Sequence, residues 1–193
     1  MNKEEINKTL FDACSDLNVF DVKGAIELGA NVNAIIDKNT AFYQTIFRNR
    51  QPEQEEQVID ILKILLENGA DINLNVEEGA STAIFYAAYY AKSFNIIKFL
   101  LDNGADINQV NKGEEWTIIN YINNDLQSNF CKIETKEELK TIYDFLISLG
   151  AKESSELGEK NPNATIATEK IVKEVKAVPP HESNKKVIKI IEK

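Results

Sequence analysis

The chain has 193 residues, 43% of them hydrophobic, with 22 Lys and Arg against 31 Asp and Glu for a formal net charge of −9. This length suffices for one domain and a tail, and the apolar content supports a packed core rather than a disordered chain. The acidic balance argues against nucleic acid as the main partner, because phosphate binding needs a basic face. No run of 18 apolar residues exists, so no membrane span and no membrane partner is expected. The opening MNKEEINKTLFDA has no apolar core of a secretory signal, so a cytoplasmic location is expected, with delivery to a host cell left open. Cys14 and Cys131 lie far apart and read as reduced thiols; a disulfide would need Cα atoms within about 7 Å.

In chain order, residues 1–9 predict a helix start with Asn2 or Asn7 as cap. Leu10-Phe11-Asp12-Ala13-Cys14 opens a first repeat. Val22, Ala25 and Ile26 mark a second helix ending at Gly29, which suits the left-handed residue of a helix terminus. Asn31-Val32-Asn33 follows as a turn. A second repeat begins at Asn39-Thr40-Ala41-Phe42-Tyr43, with a first helix to about Arg48. The polar stretch RNRQPEQEEQ, broken by Pro52, separates it from a helix over Val58 to Leu66 that is apolar on more than one face.

The third repeat, Ala83 to Asn108, is the most regular. The fourth opens at Trp116-Thr117-Ile118-Ile119-Asn120. A polar insertion, about 125–138, then separates its helices, and Leu139, Ile142, Tyr143, Leu146 and Leu149 form the last stripe. Gly29-Ala30-Asn31-Val32-Asn33, Gly69-Ala70-Asp71-Ile72-Asn73 and Gly104-Ala105-Asp106-Ile107-Asn108 are copies of one ending, and Gly150-Ala151 is a truncated fourth. The glycines step by 40, 35 and 46 residues. Self-similarity near about 33 residues with loop insertions is the mark of a stacked solenoid. The missing Asp-Ile-Asn after Ala151 marks a C-terminal cap.

The chain resembles the ankyrin-repeat family. Thr82-Ala83-Ile84-Phe85-Tyr86-Ala87-Ala88 is similar to that family's Thr-Pro-Leu-His-x-Ala-Ala opening, and Ile96 to Asn108 is similar to the rest of its unit. Thr40 and Thr117 hold the same opening place. The resemblance covers about residues 8–151 and implies an all-α solenoid of about four helix-pair repeats, at about 8–37, 38–78, 79–111 and 112–152. A polar, partly disordered tail over 153–193 is expected beyond the repeat domain 1–152. The family's Pro is replaced by Ala41, Ala83 or Ile118, and its His by Tyr43, Phe85 or Asn120. By similarity that His ties neighbouring loops by hydrogen bonds, so its replacement implies looser loops or an aromatic packing substitute.

Catalytic chemistry is scarce. The only histidine, His181, lies in the tail, which removes His-based nucleophilic triads and His-containing zinc sites from the repeats. No phosphate-cradling glycine loop appears. No enzyme activity, cofactor or metal is expected. What remains is a surface. In ankyrin proteins partners usually bind the concave face of first helices and hairpin tips. Carrying the register across by resemblance places Ser15 and Asp16, Phe47 and Arg48, Tyr89 and Tyr90, and Asn124 and Asp125 there, with Asn39, Ser81 and Trp116 pointing the same way. Phe47, Tyr89, Tyr90 and Trp116 are expected to form one aromatic cluster beside Arg48, of the residue types that dominate binding hot spots. The two insertions, near 49–56 and 125–138, are surface loops or a second contact site.

The tail differs in charge: residues 1–151 carry 13 basic and 24 acidic residues, the remainder nine and seven. Its apolar-basic stretches ATIATEKIVKEVKAV and KKVIKIIEK suit a linker, or a segment that docks on the acidic repeats or a partner. The expected function is a non-catalytic scaffold, adaptor or inhibitor that binds a protein, as a monomer or in a heteromeric complex. Alternatives are a bacterial immunity or antitoxin-like protein, a host-directed effector, or an accessory subunit of an enzyme complex.

Overall fold

The computed structural model describes residues 1–48, 51–74, 82–111, 115–128 and 133–157, with the backbone alone at 52 and 133–135. Cys131, Ser81 and the tail beyond Leu157 lie outside the described residues. The chain divides into two compact units, Met1–Ala105 with Asn111–Glu114, and Asp106–Val110 with Glu115–Lys193.

In the first unit, helix α1 (Lys3–Ser15) starts at Asn2 through a reciprocal cap. The Asn2 side chain accepts the Glu5 N–H at 2.9 Å, and the Glu5 carboxylate accepts the Asn2 N–H at 3.0 Å. Asn7 is not a cap; its side chain accepts the Asn31 N–H at 2.7 Å. One helix therefore runs unbroken through the expected opening at Leu10, because nothing between Lys3 and Ser15 competes with its hydrogen bonds. It buries Leu10, Ala13 and Cys14 against its neighbours. Helix α2 (Val19–Glu27) is capped by Asn18 and buries Val22 and Ala25. Two short antiparallel strands follow, β1 (Ile35–Ile36) and β2 (Asn39–Thr40), with Ile35 opposite Thr40. The connecting Asp37 and Lys38 both adopt positive φ, the geometry of a tight hairpin turn.

Helix α3 (Ala41–Phe47) is capped by Thr40, and helix α4 (Glu55–Glu67) follows a 3₁₀ turn at Pro52–Gln54. Val58, Ile61, Leu62 and Leu65 form one fully buried stripe on α4. Ile59, Ile64 and Leu66 on its flanks are only half-buried, so this helix faces the core on one side. Thr82 caps a short helix α5 (Ala83–Phe85), which widens into a π-helix at Tyr86–Ala91. Helix α6 (Phe94–Asp102), capped by Ser93, completes the third pair.

In the second unit, α7 (Ile118–Gln127) packs on α8 (Ile133–Ser148). The expected insertion at 125–138 is largely absorbed into these two helices. Polar residues alone do not end a helix, and that stretch contains neither Pro nor Gly. Leu139, Ile142, Phe145, Leu146 and Leu149 are buried along α8. Tyr143, expected in this stripe, is half-buried instead.

The recurrent ending is a structural device. Gly29, Gly69, Gly104 and Gly150 all sit near φ +90°, where a side chain is strained. The N–H of the next alanine, Ala30, Ala70, Ala105 or Ala151, returns 2.9–3.0 Å to a carbonyl of the preceding helix, on Ala25, Leu65, Leu100 and Leu146. The last Asn of the motif then reaches forward. Asn33 donates its amide to the Gly69 carbonyl at 2.9 Å and accepts the Asp71 N–H at 2.8 Å. Asn73 donates to the Gly104 carbonyl at 3.0 Å. Within the second unit Asn108 donates to Gly150 and accepts the Lys152 N–H at 2.7 Å.

The replacements for the family's His keep a tie between neighbours rather than loosening it. Tyr43 is fully buried, and its hydroxyl donates to the Leu74 carbonyl at 2.5 Å. Asn120 accepts the Ser154 N–H at 2.9 Å. Phe85 has no group for such a bond and stacks on Tyr89 instead.

Cys14 is fully buried, and burial pushes its thiol up to about 12, with the Thr45 hydroxyl pulling the other way. Two outcomes are expected. Asn33→Ala removes both halves of an inter-repeat brace and lowers unfolding free energy in urea by about 1–2 kcal/mol. The folded Cys14 keeps its proton between about pH 9 and 12, where an unfolded thiol has lost it. Its contribution is therefore complete below about pH 9 and is lost as pH rises toward 12. Wild type should lose on the order of 2 kcal/mol more than Cys14→Ala between pH 8 and about pH 10.5, read from urea midpoints at each pH.

Candidate functional site

A column of aromatic rings runs from the core of the first unit to its surface. Tyr43 on α3 stacks on Tyr86 with ring centroids 5.4 Å apart and planes 26° apart. Tyr86 meets Tyr90 at 5.5 Å. Phe47 stands edge-on to both, 6.3 Å from Tyr86 and 5.1 Å from Tyr90. Phe85 and Tyr89 stack almost parallel at 5.1 Å, and both lie within 5.7 Å of Tyr90. Exposure rises along the column: Tyr43 is fully buried, Tyr86 half-buried, and Tyr90 is 48% exposed.

The π-helix produces this arrangement. Its wider turn places rings four residues apart nearly above one another, as Phe85 over Tyr89 and Tyr86 over Tyr90. Lys92 ends the turn with φ 49°, and the Ser93 N–H reaches the Ala87 carbonyl at 3.2 Å. Such wide turns recur at functional sites in proteins. Burial raises the Tyr86 phenol above its ordinary range, helped by Tyr90, and lifts Tyr43 further.

Arg48, the exposed residue after Phe47, is held by a hydroxyl. Its Nε and Nη2 donate to Ser15 Oγ on α1 at 2.8 and 2.6 Å, and Gln44 Nε2 donates to the same oxygen at 3.1 Å. Asn39 is engaged with Gln44 at 3.1 Å. Asp16 is exposed at the end of α1.

Of the expected surface residues, the first unit brings Phe47, Tyr89 and Tyr90 into mutual ring contact, with Arg48 next in the chain. Trp116, Asn124 and Asp125 belong to the second unit. There the Trp116 ring stands edge-on to Tyr121 at 5.2 Å, Asn124 is exposed and Asp125 half-buried on α7. Sequence reasoning missed Tyr86, the ring that links Tyr43 to Tyr90. Its spacing of four from Tyr90 was the available signal, since such pairs share a helix face. The second unit also carries an open groove of about 710 Å³ lined by Asn123, Leu126, Lys136, Glu137, Lys140 and Tyr143. Lys136 Nζ donates to the Leu126 carbonyl at 2.8 Å, and Lys140 Nζ lies 5.0 Å from the Tyr143 ring centre.

Residues 65–122 match the family model described as ankyrin repeats (many copies). No curated protein matches the sequence. The match, the recurring helix pairs and the Asn braces agree with one another: residues 65–122 match ankyrin repeats, and the described residues form a mostly helical repeat architecture. Ankyrin repeats generally mediate protein–protein interactions and are typically non-catalytic. No helix among the described residues is long and apolar enough to cross a membrane.

The gradient of burial separates packing from surface roles. Tyr86→Ala should cost roughly 2–3 kcal/mol, because it leaves a gap between Tyr43, Phe47 and Tyr90. Tyr90→Ala should cost under about 1 kcal/mol. Urea denaturation of the two variants side by side checks the split.

Proposed function

We propose that this protein is a non-catalytic binding module whose protein partner seats on Phe47, Tyr86, Tyr89 and Tyr90 beside Arg48. The observation that carries the reading is Tyr90, which touches four other rings and is still 48% exposed. Single exposed apolar residues such as Phe20 are ordinary on protein surfaces. A half-exposed ring at the head of a packed aromatic column is different. Its neighbours hold it in place, so little side-chain entropy remains to be lost on binding. Tyr and Arg are also the residue types that contribute most per contact. Trp116, Asn124 and Asp125 are proposed as further contacts on the second unit.

The test is a tagged pulldown with mass-spectrometric identification, comparing wild type with the Tyr89→Ala/Tyr90→Ala double variant. One partner should be lost from the variant, while its urea midpoint shows a stability loss below about 2 kcal/mol. A partner retained at full yield, or a variant that unfolds, removes the reading.

A further inference from the structure

We infer that helix α2 is a self-association surface, on which two copies of the chain lie antiparallel along the stripe Phe20, Gly24 and Leu28. Lys23 of each copy then faces Glu27 of the other. The inference is independent of the tyrosine face and makes a second copy of this chain a partner.

The stripe follows from helix geometry. Val22 and Ala25 turn α2 toward the core, and the helix packs on α1 and α4. Residues four apart advance by only about 40° around a helix. Phe20, Gly24 and Leu28 therefore form one ridge, on the side away from Val22 and Ala25. The two ends of that ridge are large and apolar: Phe20 is 84% exposed and Leu28 62% exposed. Phe20 alone would be an ordinary surface residue. With Leu28 two turns further on, α2 is apolar on two sides, and the chain itself covers only one of them. The middle of the ridge is a notch. A Cβ built on Gly24 meets nothing within 4 Å, and the residue has no positive φ, so neither packing nor backbone conformation inside the chain calls for glycine there. A glycine between two large apolar groups does let a second backbone approach closely.

Symmetry and charge choose the occupant. A two-fold axis at the notch sets Phe20 of one copy against Leu28 of the other, so the ridge is its own complement. In an antiparallel pair each flank of the helix meets the same flank of the other copy. One flank carries Lys23 and Glu27, opposite charges one turn apart, so each Lys23 arrives at the Glu27 of the other copy. Neither residue joins an ion pair among the described residues. Lys four positions before Glu is also the weaker order for a pair within one helix. Asp21, on the other flank, is held by the Asn18 side chain at 2.6 Å. A parallel arrangement would set Lys23 against Asp21 and leave Glu27 without a cation. One helix of nine residues offers less area than a permanent dimer uses, so the association is weak, with a Kd on the order of 10–100 µM.

The test is sedimentation equilibrium of the full chain over roughly 5–500 µM, in about 0.15 M salt to screen the long-range repulsion of like-charged copies. The weight-average mass should rise toward that of two chains. Phe20→Ala should weaken association about tenfold or more. Gly24→Leu should abolish it while the urea midpoint stays at or above that of wild type, because leucine favours a helix and the site is open. Lys23→Glu and Glu27→Lys should each weaken it about three- to tenfold, although one raises and the other lowers the net negative charge. The double reversal should return to within about threefold of wild type. Tyr89→Ala/Tyr90→Ala should associate as wild type does, which separates this surface from the tyrosine face. A chain that is monomeric at every concentration overturns the inference. So does association that Phe20→Ala and Gly24→Leu leave at wild-type strength, or a double reversal no better than the single ones.

Discussion

The forward reach of one asparagine side chain is the constraint on which the repeats depend. Asn31 closes its own turn by accepting the Asn33 N–H, and the Asn33 side chain clamps the next turn, holding the Gly69 carbonyl and the Asp71 N–H with a single amide group. A helix pair of this size cannot bury its apolar stripe alone, and stacking buries it only if each pair arrives in register. The amide sets that register, because both of its bonds are made to backbone groups at fixed positions of the following turn. Every other regular feature follows from it. The glycine must take positive φ to present its carbonyl, and the Asp or Asn two residues later must close its own turn so that its N–H points back. The last copy keeps the Asn108 clamp but ends in Gly150-Ala151-Lys152, so the motif has no further amide to extend.

A second constraint is the backbone polarity of these loops. Turns held near a packed core need partners for their carbonyls and N–H groups. Where the family resemblance implies a histidine, this chain supplies a phenol from Tyr43 and an amide from Asn120. The two groups differ in reach and ring character but satisfy the same kind of backbone atom. Tyr43 brings something a histidine would not, a large ring that stacks on Tyr86. The hydrogen-bonding substitution thus becomes the buried foot of the aromatic column. Tyr86, which touches the surface ring Tyr90, thus rests on a residue that also ties two repeats together.

Arg48 shows the same economy. Ser15 lies on the first helix and Arg48 at the end of the third, so their bond joins neighbouring first helices while it orients a charge. The same atoms therefore tie two helices together and orient an exposed charge. Rings and donors fixed by packing have little freedom left to lose.

The repeat period, the helix pairs and the recurring turn residues were legible in the sequence, because these are local rules with short spacings, whereas the bonds by which Asn33 and Asn73 reach the next turn span 31 to 38 positions. A glycine followed by Ala-Asp-Ile-Asn ends a helix in the same way at each copy, and Thr40 and Thr82 cap the helices that follow them. The register carried over from the family resemblance also picked out Phe47, Tyr89 and Tyr90, which the fold brings into ring contact, whereas Trp116 stands against Tyr121 instead. Helix extents were less legible. The polar stretch around Asp125 to Glu138 reads as a loop by composition, yet it lacks Pro or Gly to stop either helix, so α7 and α8 grow into it. The tertiary structure alone decided what each ring does. Tyr86 occupies a position that the repeat pattern leaves open, and its contacts with Tyr43 and Phe47 on another helix come only from packing. Ser15 and Arg48 are 33 positions apart, and no local rule pairs them. Sequence determined the elements and their order because those depend on neighbours within a turn or two. The structure decided the site because burial, stacking and charge depend on residues that only packing brings together.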